Sequence, residues 1–142
     1  PLVKRDPAYK LYLVGRKPDY RIKQLGENCK NIIVTGSVDS VDPYYKECDV
    51  SIIPVFEGTG AKIKVLESLG KGIPTVCSDF AAKDYLLNNR EMLVVPQNAE
   101  AFERAINELE YRLETRMEIY DKMERYMDTY YDINPEIVKL FE

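Results

Sequence analysis

The sequence predicts an α/β fold in which an open parallel sheet is flanked by helices and followed by a long C-terminal helix. Three observations predict it. Five short apolar runs alternate with segments of helical periodicity along the 142 residues. The runs are almost continuously apolar, which is typical of strands covered on both faces. A long segment near the carboxyl end repeats an apolar residue every three or four positions, as an amphipathic helix does.

The first elements of this fold are marked by their end signals. The predicted strands are 9–14, 31–35, 49–53, 73–77 and 91–95. Asp19 is predicted to cap a helix that runs to about residue 25. Asp42 is predicted to cap the next helix, because Pro43 then stands at the first helical position.

The later helices are predicted from their apolar stripes. A helix over 60–69 would bury Ile63, Leu66 and Leu69, and Gly70 or Gly72 would end it. A short helix is expected over 82–87. Asn98 is predicted to cap one long helix, and a final short helix is predicted to begin at Asn134–Pro135. The stripe of the long helix comprises Phe102, Ala105, Ile106, Leu109, Leu113, Met117, Tyr120 and Met123.

The length and the first residue predict the domain organisation. A chain of 142 residues is about one domain, and no linker or repeat divides it. Because it opens at Pro1 and not at Met, we expect it to be an N-terminally truncated piece of a longer protein. The apolar stripe extends further than one sheet face requires. We therefore expect a helical tail, about 110–142, that reaches toward another domain.

Missing residue types exclude several kinds of chemistry. The sequence has no histidine, which excludes Ser-His-Asp and Cys-His catalysis and histidine metal sites. Cys29, Cys48 and Cys77 form no C-x-x-C pair, so each is interpreted as a small core residue. Unpatterned cysteines suit a reducing compartment, and no secretory signal or membrane-spanning run is visible. We therefore expect a cytoplasmic protein.

The net charge of −4 is unevenly distributed. Residues 1–32 carry a net charge of +5, and residues 99–142 carry −6. The basic stretch either meets phosphate groups or forms a solvated face. The overall acidic balance argues against a dedicated nucleic-acid binder.

The most informative loop is expected at the carboxyl ends of the strands, where open α/β sheets bind ligands. Gly58-Thr59-Gly60 follows a predicted strand and opens a predicted helix. Glycines allow a close approach to a ligand, and a helix N-terminus suits a phosphate. Lys62 is expected in the first turn as a point charge, and Glu67 can accept hydrogen bonds from sugar hydroxyls. The alternative is a plain loop followed by solvated lysines and a solvated glutamate. No third glycine and no GK[ST] follow, so neither a dinucleotide fingerprint nor a P-loop is present.

The stretch from Asp49 to Val76 resembles the donor-binding half of group 1 glycosyltransferases. The resemblance is carried by the segments DVSIIP, GTGAKIKVLESL and GIPTV, and it extends over roughly 9–109. These are retaining enzymes of the two-domain GT-B fold. The resemblance therefore implies a Rossmann-like half of that fold and a parent enzyme of hexosyltransferase type.

The resemblance implies a role for each matching position. Glu67 would hold ribose hydroxyls, and Gly15 and Arg16 would face the nucleotide. A loop beside the base would comprise Gly36, Ser37 and Val38. A loop over the diphosphate and donor sugar would comprise Gly58, Thr59, Gly60, Ala61 and Lys62.

The sequence departs from the family pattern at two places. Family members often have two glutamates separated by seven residues, and counting back from Glu67 places Thr59 at the first position. Glu57 lies two residues earlier, so Glu57 and Thr59 are the candidate catalytic residues. The family's donor half begins with a strand and a basic loop, and nothing before Tyr9 matches them. We therefore expect this chain alone to be inactive.

Two function classes remain open from the sequence. The first is the donor-binding half of an enzyme that transfers a sugar from a UDP- or GDP-linked donor with retention. Its partners would be the nucleotide sugar and a missing N-terminal acceptor-binding domain. No cofactor, metal or nucleic acid is implied, and membrane contact would occur only through the missing half. The alternative is a non-catalytic, flavodoxin-like binding or regulatory module.

Overall fold

The computed structural model describes residues 2–59, 62–85 and 91–131. The helices are α1 Leu2–Arg5, α2 Tyr20–Asn28, α3 Asp42–Glu47, α4 Ile63–Gly70, α5 Asp79–Ala82, α6 Ala99–Tyr111 and α7 Leu113–Tyr131. The strands are β1 Leu11–Val14, β2 Ile32–Gly36, β3 Ser51–Ile53, β4 Thr75–Ser78 and β5 Leu93–Val95. The chain divides into two compact units, Pro1–Cys48 and Asp49–Glu142.

The first unit is built on one parallel strand pair. Residues 11–13 of β1 pair with residues 32–34 of β2, and the register then shifts so that Val14 faces Gly36. The Asp19 side chain accepts a hydrogen bond from the Ile22 backbone N–H at 2.9 Å, which confirms the predicted cap of α2. The Tyr12 and Tyr44 rings meet edge to face at 5.8 Å, which ties α3 to β1.

The second unit contains a parallel three-stranded sheet in the order β3-β4-β5. β4 is buried along its whole length, as its central place in the sheet requires. The core of this unit is formed by β3, β4, α4, α5, α6 and α7. The largest buried members of that core are Val65, Val76, Met92, Leu109 and Met123. Every strand pair among the described residues is parallel, so the predicted α/β class with parallel strands is confirmed. The strands form two sheets, β1-β2 and β3-β4-β5, where the sequence predicted one.

The predicted long C-terminal helix is two helices. Asn98 caps α6 as expected, because its side chain accepts a hydrogen bond from the Ala101 N–H at 2.8 Å. Arg112 then adopts an extended conformation, φ −119° and ψ 90°, and separates α6 from α7. The break changes which residues face the core. Met117 is 60% exposed and Tyr120 is 39% exposed, whereas Ile119, Met123 and Tyr126 are buried.

The far end of α7 packs on its own unit. Met123 and Tyr126 belong to the same core as α4, and Met127 packs against that core. Met123 and Tyr126 are therefore already covered within the second unit, and the expectation that the helical tail of residues 110–142 reaches toward another domain stays a prediction. The predicted helix at residues 134–141 lies outside the described residues. Among the described residues, no helix is both long and apolar enough to span a membrane.

Four smaller predictions need correction. Val41, not Asp42, is the N-cap residue of α3, because the Tyr44 and Tyr45 N–H groups donate to the Val41 carbonyl and Asp42 is already the first helical residue. Ile63 is 71% exposed, since α4 turns Val65, Ser68 and Leu69 inward.

The helix expected over 82–87 begins earlier, at Asp79, because Ser78 caps it. Cys77 is buried as predicted, but Cys29 and Cys48 are only partly buried and do not belong to the core. α1 was not expected from the sequence, and none of its side chains is buried.

Candidate functional site

The loop after β3 is exposed at the carboxyl end of the second unit's sheet. Glu57, Gly58 and Thr59 are all exposed. Gly58 has a φ of +120°, a conformation that residues with a side chain rarely adopt. Gly60 and Ala61, which the sequence assigned to the same loop, lie outside the described residues. The described part of the loop is open to a ligand and depends on its glycine.

This loop leads into the N-terminus of α4. The helix begins at Ile63, so Lys62 is its N-cap residue. The prediction that Lys62 lies in the first turn is therefore wrong. No side chain of the described residues caps the helix. The positive end of the helix dipole therefore faces the loop, an arrangement that favours an anion.

Glu67 lies one turn into α4 and is paired with a neighbouring lysine. Its Oε2 accepts a hydrogen bond from the Lys64 Nζ at 2.8 Å. The Lys64 side chain is largely exposed, and the Glu67 side chain is 22% exposed. The ion pair is the contact expected if Glu67 is only a surface residue. It engages one carboxylate oxygen, so the other remains a possible acceptor for a ligand hydroxyl.

Lys62 is held by a cluster that the sequence did not reveal. Its side chain is only 9% exposed, and its Nζ lies 3.3 Å from the Asp84 Oδ2. The same Nζ lies 5.0 Å from the centre of the Phe80 ring, and the Lys83 Nζ lies 4.2 Å from that centre. Lys62 and Asp84 are 22 residues apart in the sequence, and no local pattern links them.

Ser78 organises the carboxyl end of β4. Its hydroxyl donates to the Val55 carbonyl in the neighbouring loop and accepts from the Ala81 N–H at 3.1 Å. The next residue, Asp79, accepts from the Phe80 N–H at 2.7 Å and from the Gln97 side chain at 3.2 Å. Serine followed by aspartate is an N-cap signal, so the sequence could have revealed the role of Ser78.

In the first unit, the structure brings Gly15 and Gly36 together at the carboxyl ends of β1 and β2. The Gly15 N–H donates to the Gly36 carbonyl at 3.3 Å. Gly36 has a φ of +71°, which again favours glycine. Arg16 and Ser37 are exposed, and Val38 is partly buried. These predicted nucleotide-facing residues therefore form two adjoining loops.

An open depression of about 630 Å³ lies beside these loops in the first unit. It is lined by Lys17, Pro18, Lys23, Gly26, Glu27, Ile32, Val34, Thr35, Gly36 and Ser37. Lys17 has a φ of +51°, which is uncommon for a residue with a side chain. The depression includes part of the loop predicted to lie beside a base, and it adds two lysines that the sequence did not single out.

Within the ranges that the structure describes, no group of three or more Cys, Asp or Glu side chains is arranged as metal ligands. The expectation that no metal or cofactor is needed stays a prediction. The pKa of the Cys77 thiol is raised to about 12, chiefly by burial and secondly by the nearby Asp79 charge. Cys77 lies in the core, with its Sγ 3.1 Å from the Met92 Sδ, and not in the exposed loops.

The sequence matches the family described as glycosyl transferases group 1 over residues 1–110. No curated protein matches the chain significantly.

Solved structures show the same fold. A glycosyltransferase from Rickettsia africae is 19% identical with a TM-score of 0.78, and the match covers 99% of this chain and 40% of that one. Anabaena HepE, in complex with UDP and glucose, is 15% identical with a TM-score of 0.77, covering 99% and 42%.

The C-terminal domain of a group 1 family protein, LpcC, from Francisella tularensis is 16% identical with a TM-score of 0.73. That match covers 93% of this chain and 74% of the Francisella one. This chain thus spans about two fifths of the length of the Rickettsia and Anabaena proteins.

Proposed function

The chain belongs to the group 1 glycosyltransferases, and on this basis we propose that it is the donor-binding half of a retaining enzyme of the hexosyltransferase type. The parent protein would transfer a sugar from a UDP- or GDP-linked donor to an acceptor. Its acceptor would be bound by a further domain, which we propose as the partner of this chain. The UDP and glucose complex of the Anabaena protein supports a nucleotide-sugar donor.

The observation that carries the proposal is the junction of an exposed glycine loop with α4. Gly58 holds the loop in a conformation open to solvent, and the helix dipole points at it. A nucleoside diphosphate leaves a glycosyl-transfer reaction with negative charge on its phosphates. Fixed dipoles and cations at that point lower the barrier, because they interact most strongly with the charge as it develops.

The individual roles follow the family pattern. In the second unit, we propose that Lys62 and the loop of residues 58–61 hold the diphosphate and that Glu67 accepts hydrogen bonds from the ribose. Glu57 and Thr59 are proposed to face the reacting sugar, and the exposed Glu57 supplies the carboxylate that Thr59 lacks. In the first unit, the two loops formed by Gly15–Arg16 and residues 36–38 are proposed to face the nucleotide and its base.

Glu67 provides the test of this proposal. Glu67→Gln keeps the size of the side chain and removes its charge. Because hydrogen bonds to charged groups contribute about 1.5–3 kcal/mol, affinity for UDP or GDP should fall by roughly ten- to a hundredfold. Isothermal titration calorimetry at matched salt measures the affinity of both proteins for UDP or GDP. Thermal unfolding of both proteins should be nearly the same, since the exposed Lys64 is the partner that loses an ion pair.

The matched control is Lys64→Met, which removes the same ion pair and leaves the carboxylate. Under the proposal, Lys64→Met keeps nucleotide affinity within about twofold of the unsubstituted protein. Equal affinity of Glu67→Gln and the unsubstituted chain would show that Glu67 is only a partner of Lys64. The ribose role would then be rejected.

A further inference from the structure

Lys62 is a nearly buried cation, and its placement depends on one short segment. A 9% exposed lysine side chain has lost most of its hydration, which must be replaced by protein contacts. Two of these contacts come from residues 80–84, which begin in the first turn of α5. Asp84 contributes the carboxylate at 3.3 Å, and Phe80 contributes its ring face at 5.0 Å. Ammonium groups are attracted to such a ring face by its quadrupole.

This segment is itself fixed to the carboxyl end of β4. The Ser78 hydroxyl caps α5 through the Ala81 N–H, and the Asp79 side chain bonds the Phe80 N–H. These two hydrogen bonds fix the backbone at Phe80, and the Phe80 ring in turn fixes the position of the Lys62 ammonium. The N-cap residue of α4 is thereby linked to the edge of the sheet where the loop of residues 57–59 is exposed.

A second cation approaches the same ring. The Lys83 Nζ lies 4.2 Å from the Phe80 centre, closer than that of Lys62. Asp84 neutralises one of the two ammonium groups, so the cluster of Lys62, Phe80, Lys83 and Asp84 keeps a net positive charge. Loss of Asp84 would remove the carboxylate that lies 3.3 Å from the Lys62 ammonium, and repulsion between the two cations at the Phe80 ring would then disfavour the buried placement of Lys62.

We propose that Asp84 and Phe80 are positioning residues that hold the Lys62 ammonium in place for the diphosphate of the nucleotide donor. The inference rests on the proposed function, because it needs a diphosphate at this loop. Asp84 itself does not touch the donor under this proposal. It acts through Lys62, so its removal weakens the phosphate part of binding and leaves the nucleoside part unchanged.

The test compares nucleoside diphosphates with nucleosides on the full chain. Asp84→Asn should lower affinity for UDP or GDP about five- to tenfold, because Lys62 loses its charge-assisted contact. Affinity for uridine or guanosine should stay within about twofold, since neither contains a phosphate. Lys62→Met should lower diphosphate affinity at least as much. The double variant should bind no more weakly than Lys62→Met alone, because Asp84 acts only through Lys62.

Glu118→Gln is the matched control. Glu118 lies 3.4 Å from the Lys122 Nζ on α7, so this variant removes a carboxylate from an ion pair of similar length away from the loop. It should leave both affinities unchanged. Phe80→Leu provides the second variant, and thermal unfolding is measured for each protein so that a loss of folding is recognised directly.

The binding results distinguish a positioning role of Asp84 from a competing role, from a structural role and from the absence of a diphosphate site. Tighter diphosphate binding by Asp84→Asn would overturn the inference, because Asp84 would then compete with phosphate for Lys62. Equal loss of nucleoside and nucleoside diphosphate binding would also overturn it, since the effect would be structural. If the unsubstituted protein binds uridine and UDP, or guanosine and GDP, equally well, the proposed diphosphate site itself is wrong and the inference falls with it.

Discussion

Cys77 shows at the residue scale how burial separates a structural thiol from a reactive one. Its side chain is fully buried between β3 and β5 on the central strand, and its Sγ contacts the Met92 sulfur. Burial raises the pKa of this thiol from 9.0 to about 12. The thiolate is the reactive species, so Cys77 is protected from modification because reagents cannot reach it and because it stays protonated. Cys29 and Cys48 are only partly buried.

This environment predicts selective labelling. With iodoacetamide at pH 8, we expect Cys29 to react and Cys77 to react only after unfolding, as peptide mass spectrometry would show.

The raised pKa of Cys77 also makes the free energy of unfolding depend on pH. The unfolded thiol ionises near 9.0 and the folded one near 12, so the free energy of unfolding falls as pH rises through that interval. Cys77→Ala should remove this part of the pH dependence, and rapid labelling of Cys77 in the folded protein would contradict the prediction.

At the scale of elements, two of the three predicted helix caps are present, whereas the break between α6 and α7 was not predicted. Asp19 and Asn98 cap their helices as the sequence indicates, because an N-cap is decided by one side chain and the next three residues. Arg112 carries no proline or glycine signal, yet it is extended and ends α6. The apolar spacing continues through it, so a single 3.6-residue period predicts the wrong face for Met117 and Tyr120.

The observed inward face of α7, with Met123 buried and Met117 exposed, can be tested by stability measurements. Met123→Ala removes a side chain that is 1% exposed and should lower the free energy of unfolding by about 2–5 kcal/mol. Met117→Ala removes the same atoms from an exposed position on the same helix, and its effect should stay within about 0.5 kcal/mol. Chemical denaturation of both variants measures the difference. Similar losses for the two would mean that the helix continues without the break at Arg112.

The candidate site was only partly predictable, because some of its contacts join residues far apart in the sequence. Gly36 and Gly58 stand out in sequence, and both have the positive φ that requires glycine. The Lys62 and Asp84 pair joins residues 22 positions apart, and such contacts exist only after the strands have paired. The sequence therefore indicated which loops matter, but not which side chains hold them.

At the scale of the whole molecule, the two units differ in how they are stabilised. The apolar core lies in the second unit, where β3, β4, α4, α5, α6 and α7 contribute to it. In the first unit, Ile32 is the one buried hydrophobic side chain among the described residues. The basic stretch at residues 1–32 lies in this sparsely packed unit, and the acidic stretch at residues 99–142 lies in the other.

The length of the match predicts what the chain does alone. It spans 40% and 42% of the Rickettsia and Anabaena structures, so we expect the 142 residues to bind a nucleotide without transferring sugar. The physical reason is that transfer needs an acceptor held against the donor, which positions the reacting atoms. A coupled assay for released UDP or GDP, with water and simple sugars as acceptors, measures turnover. Sugar transfer by this chain would disprove the expectation.

The hydroxyl of Ser78 has a consequence for how this scaffold can change. Ser78 is the last residue of β4. Its hydroxyl oxygen caps α5 and fixes the loop after β3 by donating to the Val55 carbonyl. The loop of residues 57–59 is exposed, whereas Ala81 and Ala82 of α5 are buried in the core, so the two segments held by this oxygen differ in how freely their sequences can change. A designer who alters the exposed loop after β3 should therefore leave Ser78 untouched, because its hydroxyl holds both that loop and α5.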